Sequence, residues 1–222
     1  MGKLVSGIDE AGRGCIVGPL VIAGLLIKEE NLPTLTKIGV KDSKLLSPKK
    51  REALFPEIIR LAEKHIILKV TPKEIDCAVE CKIKLKKLNW LEAKTMAQIV
   101  TFLEPDIVYV DAADVVAERF GQDILETSTF KTKIVSEHKA DCTYPVVSAA
   151  SIIAKVERDN TIAALRNEYG DFGSGYLSDS KTQAFIVDWI KSHKDYPDII
   201  RKSWKPAKEA KNQQQTKQQK LF

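Results

Sequence analysis

The sequence lacks the features that mark membrane proteins and secreted proteins. No uninterrupted apolar run approaches the ~18 residues that a transmembrane helix needs. The N-terminal residues pass directly into a predicted strand, and Ser6, Asp9 and Glu10 soon follow Lys3, which is not the pattern of a signal peptide. We therefore expect a cytoplasmic protein that does not associate with membranes.

Thiol and imidazole groups are scarce. The four cysteines, Cys15, Cys77, Cys81 and Cys142, form no CxxC pair, and the chain has only three histidines. Cys77 and Cys81 would share one face of a helix, but two thiols do not complete a zinc site. The sequence therefore predicts ordinary reduced thiols and argues against zinc.

A surplus of positive charge is also missing from most of the chain. Residues 201–222 hold seven basic residues and a single acidic one, which gives this segment a net charge of +6. The whole chain has a net charge of +5, so the other 200 residues sum to −1. This distribution indicates a nearly neutral domain with a basic tail rather than a globally basic nucleic-acid binder. Residues 206–222 are rich in Gln and Lys, and we predict a flexible tail there because they carry too little apolar surface to fold alone.

The hydrophobic pattern of the 222 residues predicts one α/β domain, with a mixed sheet flanked by helices. The first two strands are expected to be antiparallel, joined by a turn at residues 12–14. Strands are predicted at residues 4–8, 17–27, 66–70, 106–111 and 133–136. Helices are predicted from Pro48, from Pro72, and at about 83–103, 114–120, 144–168 and 180–193.

Three separate segments of the chain end in an aspartate, Ile8-Asp9, Val110-Asp111 and Ala140-Asp141, and Glu10 stands beside the first. A single aspartate of this kind is more often a turn or helix cap than a metal ligand. If the carboxylates converge, each like-charge pair at about 4 Å costs on the order of 4 kcal/mol at an effective dielectric near 20, so a divalent cation would be needed. Oxygen ligands favour Mg²⁺ or Mn²⁺, and a pair of such ions would suit in-line phosphodiester hydrolysis.

Five motifs in consistent order resemble ribonuclease HII, the type 2 ribonucleases H. The resemblance covers about residues 3–180 and is carried by residues 7–14, 41–45, Asp111, 140–141 and 148–159. Residues 138–141 and 173–176 are similar to the archaeal branch, although Leu177 and Ser180 stand where that branch often has prolines. The resemblance implies a ribonuclease H-like catalytic domain at 1–170, a helical part at 171–205 that completes the substrate cleft, and the tail at 206–222.

The resemblance also implies an activity: endonucleolytic cleavage of RNA in RNA–DNA hybrids, and cleavage 5′ of single ribonucleotides in duplex DNA. It assigns catalysis and the binding of Mg²⁺ or Mn²⁺, with two ions during catalysis, to Asp9, Glu10, Asp111 and Asp141. Residues Gly12, Arg13 and Gly14 match the loop that contacts the 2′-hydroxyl and the adjacent phosphate. Tyr176 matches the tyrosine that stacks on the following deoxyribose. These roles agree with the chemistry, because glycines permit close backbone approach and arginine binds phosphate in a bidentate manner.

Other assignments stay open at this point. Ser43, Lys44 and Lys155 could contact substrate phosphates, but Ser43 and Lys44 also fit a turn before a helix. His138 fits a hydrogen-bonding role better than proton transfer, and Arg158 could simply pair with Asp159.

Two alternative functions also stay open. One is a DNA nuclease of the same fold, of the resolvase or transposase type, and the other is a non-catalytic hybrid-binding module. We expect a monomer. Residues 218–222 resemble the start of a peptide that binds a sliding clamp, although a disordered basic tail with loose DNA affinity fits them better.

Overall fold

A five-stranded sheet forms the centre of the molecule, with strand order β3-β2-β1-β4-β5. The structure, a computed structural model, describes residues 2–41, 43–82 and 87–219. β1 pairs antiparallel with β2, which pairs antiparallel with β3, whereas β4 and β5 continue the sheet in parallel from β1. The strands are β1 (Leu4–Ala11), β2 (Leu20–Lys28), β3 (Lys64–Val70), β4 (Ile107–Asp111) and β5 (Lys133–Glu137).

Helices cover both faces of this sheet, so the predicted fold class is confirmed. Two hydrophobic clusters fill the two sides, and a third lies in the C-terminal part. The helices are α1 (Leu32–Lys37), α2 (Pro48–Leu61), α3 (Pro72–Glu80), α4 (Leu88–Leu103), α5 (Ala117–Thr127), α6 (Ala140–Thr143), α7 (Pro145–Tyr169), α8 (Ser180–Ser192) and α9 (Lys205–Gln219). None of the described helices combines the length and apolar character that crossing a membrane requires.

Local sequence signals fix several helix starts. Ser47 accepts a hydrogen bond from the Lys50 N–H at the start of α2, with Pro48 in the first turn. Thr71 and Glu74 form a reciprocal capping box at the start of α3. These helices therefore begin where the sequence predicted.

Helix α7 lies unusually close to β1, which positions the candidate site. A Cβ atom on Gly7 would stand 2.3 Å from the carbonyl oxygen of Val146, so only glycine permits this approach. Small buried residues in the first half of α7, Ser148 to Ala150 among them, make the same close packing possible. The helix thereby presents its side chains beside the end of β1.

The structure differs from the predicted elements in several places. β2 begins at Leu20 rather than residue 17, because Gly18 has φ +92° and Pro19 lacks an N–H, and Val17 instead forms an isolated bridge with Ile200. The helix predicted at 114–120 spans Ala117–Thr127. Helix α1 was not predicted.

Helix α9 occupies most of the segment that composition assigned to a tail. Its Ala207 is fully buried in the C-terminal cluster, and the Tyr196 hydroxyl donates to the Ala207 carbonyl oxygen at 3.2 Å. Tertiary packing thus stabilises a helix that its own apolar content could not. Residues 83–86, where the helix before Leu103 was predicted to begin, lie outside the described part of the chain.

Candidate active site

Asp9 and Asp111 lie next to each other at one end of the sheet. The parallel pairing of β1 with β4 runs as far as Ile8 and Val110, so the residues that follow are neighbours on adjacent strands about 4.8 Å apart. β1 itself extends past Asp9 to Ala11, because β2 continues to pair with it. The two predicted strand-end aspartates are therefore brought together by register.

Asp141 reaches the same end of the sheet through α6. The Ala140 N–H, at the start of that helix, donates to Asp111 Oδ1 at 2.9 Å. Lys139 adopts the left-handed conformation, with φ +58°, immediately before this contact. Asp141 is buried, and Lys44 Nζ lies 3.0 Å from its Oδ2 atom. Asp111 and Asp141 also interact electrostatically.

Asp9 and Glu10 point to opposite faces of the sheet, as alternate residues of a strand must. Asp9 faces α7, where Ser151 donates a hydrogen bond to it and Lys155 supplies a nearby positive charge. On the side of α4, the negative charge of Glu92 raises the pKa of Glu10 and the positive charge of Arg13 lowers it. The two adjacent acids therefore approach Asp111 from different sides.

Burial makes these carboxylates hard to ionise. Desolvation raises the pKa of Asp9 to about 6, although Lys155 and Ser151 act in the opposite direction. Burial and then the charge of Asp9 raise the pKa of Glu10 well above its usual range. The pKa of Asp111 is also raised by burial, and Asp141 adds to the effect while the Ala140 N–H opposes it.

The four acids fit a divalent cation chemically. They offer hard oxygen donors, and Glu10 Oε2 is a buried atom without a hydrogen-bond partner among the described residues. Within residues 2–41, 43–82 and 87–219, no three acidic, imidazole or thiol side chains converge into a ready-made metal site. Lys44 and Lys155 instead supply part of the positive charge that the sequence argument assigned to a metal alone.

Ser43, Ser151 and Lys155 form a compact hydrogen-bonded group beside Asp9. Lys155 Nζ donates to the Ser43 and Ser151 hydroxyls, each at 2.6 Å, and the two hydroxyls are 2.8 Å apart. Ser43 is fully buried. Ser43 therefore supports Lys155, and both residues line the cleft together with Lys44.

The turn at residues 12–14 follows the acids directly. Gly12 has φ +87°, and a Cβ atom there would stand 2.8 Å from the Pro19 carbonyl oxygen, so this position requires glycine. The Arg13 guanidinium contacts α4: Nε donates to Glu92 at 2.9 Å and Nη2 donates to Asn89 at 2.7 Å. The turn thus has a defined side-chain partner in a distant helix.

Glu92 is a site residue that sequence reasoning missed. It is fully buried, and desolvation raises its pKa to about 7, while the Arg13 charge acts in the opposite direction. The sequence marks Glu92 only as a charged residue at an otherwise apolar position of the predicted helix at 83–103. Its partner lies 79 residues away along the chain.

Tyr176 lines the cleft on a loop that Arg158 fixes. The Arg158 guanidinium stacks 4.5 Å from the centre of the Tyr176 ring, and its Nη2 donates to the Ser174 carbonyl oxygen at 2.6 Å. The predicted pairing of Arg158 with Asp159 is also present, at 3.4 Å. His138 contacts the Val115 carbonyl oxygen at 3.2 Å, the hydrogen-bonding role that the sequence favoured.

Some of these groups line one open cleft of about 380 Å³. Of the four acids, Glu10 lines it directly, together with the turn at residues 12–14, Tyr176 and the two lysines. Acids, cations and an aromatic ring therefore line a single surface that could hold a nucleic-acid backbone.

Comparison with known proteins identifies the family. The family model described as Ribonuclease HII matches residues 6–207. Ribonuclease HII of Methanosarcina mazei is 48% identical over 210 residues, covering 90% of this chain and 94% of the relative. The crystal structure of the ribonuclease H2 from Pyrococcus horikoshii superposes with a TM-score of 0.87 and 43% identity, covering 96% of this chain and 99% of that one.

A second solved structure, the PCNA:RNase HII complex from Archaeoglobus fulgidus, matches with a TM-score of 0.81 and 43% identity over 90% of this chain and 93% of that one. The agreement in motif order, fold and near-complete coverage leads to one conclusion. The chain belongs to the ribonuclease HII family and is an endoribonuclease that acts on the RNA strand of RNA–DNA hybrids.

Proposed function

We propose that this enzyme also cuts duplex DNA on the 5′ side of single embedded ribonucleotides, leaving 3′-hydroxyl and 5′-phosphate ends. The observation that carries the proposal is the shared cleft. There, Glu10 lines the same cleft as the turn at residues 12–14 and Tyr176, so one of the four acids and the two candidate substrate-reading elements can contact the same bound strand. One nucleotide can then be read and cut without a long RNA tract.

Each element has a role that its chemistry supports. The backbone of Gly12, Arg13 and Gly14 approaches the sugar, whose 2′-hydroxyl distinguishes RNA from DNA. The Tyr176 ring stacks on the deoxyribose that follows the ribonucleotide, held in place by Arg158. Lys44 and Lys155 bring positive charge to the cleft, where it offsets the charge of the scissile phosphate.

The four acids, Asp9, Glu10, Asp111 and Asp141, would hold Mg²⁺ or Mn²⁺, and we propose two ions during catalysis. Bound ions of this kind supply an activated water and stabilise charge on the leaving oxygen. The raised pKa of Asp9 and Asp111 supports this role, because a cation would relieve the cost of ionising them.

The test uses duplex DNA that carries one ribonucleotide, an all-DNA duplex and a continuous RNA–DNA hybrid, each with and without Mg²⁺ or Mn²⁺. We expect metal-dependent cleavage 5′ of the ribonucleotide and none of the all-DNA duplex. Asp111→Asn should lower turnover by at least about a thousandfold while the protein stays folded. Equal cleavage of the all-DNA duplex would favour a DNA nuclease, and binding without any product would favour a hybrid-binding module.

We also propose that the C-terminal end binds a sliding clamp. The related Archaeoglobus fulgidus protein was solved as a PCNA:RNase HII complex. In this chain the candidate segment is residues 218–222, of which 220–222 lie outside the described residues. Helix α9 leads directly into this segment from the C-terminal core.

A pull-down with purified PCNA tests this partner. Deletion of residues 215–222 should abolish binding, whereas cleavage of the ribonucleotide duplex without clamp should change little. Equal retention of the full-length and shortened chains, or retention of neither, would contradict the proposal.

A further inference from the structure

The turn at residues 12–14 is supported from inside the protein by Arg201, which follows α8. Arg201 is 0% exposed, so its charge has been completely removed from water. A buried guanidinium is costly unless acceptors surround it. The contacts that Arg201 makes behind the turn must therefore offset the free-energy cost of burying its charge.

The acceptors around Arg201 are mainly backbone carbonyl groups of this turn. Nη2 donates to the Gly12 oxygen at 2.6 Å, and Nη1 donates to the Arg13 oxygen at 2.7 Å. Nε and Nη2 both reach the Gly18 oxygen at 3.2 Å. The planar fork of one side chain thus fixes three carbonyl groups at once.

Two further contacts hold the guanidinium itself. It stacks 5.2 Å from the Trp204 ring centre, and its Nη2 lies 3.0 Å from Cys15 Sγ. The charge of Glu92 also acts on Arg201, and Glu92 is the same group that binds the Arg13 side chain. Arg13 is therefore fixed through its backbone by Arg201 and through its side chain by Glu92.

Peptide geometry gives this arrangement a consequence for the cleft. In a trans peptide, a carbonyl group and the following N–H point in opposite directions. Because the Gly12 and Arg13 carbonyl groups point at Arg201, the N–H groups of Arg13 and Gly14 point away from it, toward the cleft that this turn lines. Neither N–H donates to another residue within the described part of the chain.

We propose that Arg201 is a positioning residue for ribonucleotide recognition: it orients the Arg13 and Gly14 N–H groups into the cleft, where they donate to the sugar–phosphate backbone at the ribonucleotide. This inference rests on the proposed function of the turn. Arg201 itself does not touch the substrate.

Arg201→Lys tests the inference, because lysine keeps the charge but cannot present a planar fork to three carbonyl groups. Affinity is measured in EDTA, without cleavage, for a duplex with one ribonucleotide and for an all-DNA duplex of the same sequence. We expect the preference of the wild type for the ribonucleotide duplex to fall about 2- to 10-fold in the variant, the effect of losing one hydrogen bond to the neutral 2′-hydroxyl, because phosphate contacts are common to both duplexes. Hydrogen exchange should accelerate in residues 11–19.

Ile190→Val is the matched control, since it removes one methylene from the same C-terminal core and is not a partner of the Arg201 guanidinium. It should leave the preference, and the exchange of the turn at residues 12–14, unchanged. If Arg201→Lys shows no cooperative thermal transition, Arg201→Gln, which keeps a smaller planar donor, must give the same loss. An unchanged preference in the folded variant would overturn the inference.

The outcomes also separate this inference from the proposed function. A wild type that prefers the ribonucleotide duplex but does not cut it would contradict the proposed function and leave the role of Arg201 testable by the same ratio. A wild type that cuts 5′ of the ribonucleotide, with Arg201→Lys equally selective, would contradict only the inference. A wild type that neither cuts nor prefers that duplex would contradict both.

Discussion

The fold buries the side chain of Asp9, where the ionised carboxylate is less stable than in water. Its folded-state pKa, about 6, lies above the ordinary value of 3.8, so the folded protein binds this proton more tightly than the unfolded chain does. Because the pKa of Asp9 is raised on folding, its proton contributes fully to the free energy of unfolding below about pH 4, and this contribution is lost as the pH rises through about 6. At neutral pH the ionised Asp9 therefore destabilises the fold.

We predict that Asp9→Asn abolishes cleavage and, in EDTA at pH 7, raises the free energy of unfolding by about 1–3 kcal/mol. Urea denaturation of both proteins at pH 4.5 and pH 7 measures the effect. The gain should shrink at pH 4.5, where the wild-type carboxyl is largely protonated, and added Mg²⁺ should stabilise the wild type more than the variant. Identical pH dependence of the two proteins would contradict the pKa argument.

Tyr176 shows how a single ring is held for stacking. Arg158 lies under one face of the ring, and the phenol hydroxyl is not part of that contact. We predict that Tyr176→Phe keeps cleavage of the single-ribonucleotide duplex within about threefold, whereas Tyr176→Ala lowers it about 5- to 100-fold, the range for one lost stacking contact.

The informative measurement for Tyr176 is the ratio of kcat/KM on the single-ribonucleotide duplex to that on a continuous hybrid. This ratio should fall in Tyr176→Ala, because a junction exists only in the first substrate. A parallel loss on both substrates would mean that the ring supports the cleft without reading the junction.

At the scale of elements, the packing of α7 on β1 decides where the acids meet. Gly7 lets the start of α7 lie against the strand, two residues before Asp9, and α7 carries Ser151 and Lys155 to the same carboxylate. A side chain at position 7 would have to move a helix backbone, which cannot yield as a flexible side chain does.

We predict that Gly7→Ala lowers the free energy of unfolding by about 1–3 kcal/mol or more and reduces cleavage as α7 shifts. Gly14→Ala is the control for stability, because a Cβ atom there meets nothing within 4 Å and the residue does not require a positive φ. Denaturant titration should place the control within about 0.5 kcal/mol of wild type. Similar losses in both variants would show that the close approach at Gly7 is unimportant.

At the scale of the whole molecule, the first part of helix α9 packs against the rest of the fold. Ala207 is buried, Lys208 pairs with Glu80 at 3.0 Å, and Lys211 pairs with Asp195 at 2.7 Å. Further along α9, Thr216 donates to the Asn212 carbonyl oxygen at 3.0 Å, a hydrogen bond within the helix itself.

We therefore predict different results for two truncations. A chain ending at residue 212 should keep its Tm within about 2 °C, whereas a chain ending at residue 204 should lose several degrees, at about 2–4 °C for each kcal/mol. Calorimetry of both shortened proteins and the full chain checks this. Equal Tm values for all three would show that α9 contributes nothing to stability.

The expectation of a monomer also belongs to this scale and stays a prediction. Sedimentation equilibrium of the full chain would test it.

Short-range patterns sufficed to predict much of the fold. Apolar runs located all five strands, and the caps at Ser47 and Thr71 located two helix starts, because these signals depend on neighbouring residues. The motifs also identified the four acids, the turn at residues 12–14 and Tyr176 as candidates. The family they indicated is confirmed by the comparisons.

What only the tertiary structure decided are the contacts between residues far apart in the chain. Helix α9 forms because Ala207 has a core to enter, which its own composition does not reveal. Glu92 and Arg201 meet Arg13 across 79 and 188 residues, and no local pattern marks either as a partner of that turn. The sequence by itself determined which elements form and which groups carry the chemistry, whereas packing and strand register determined which of those groups meet.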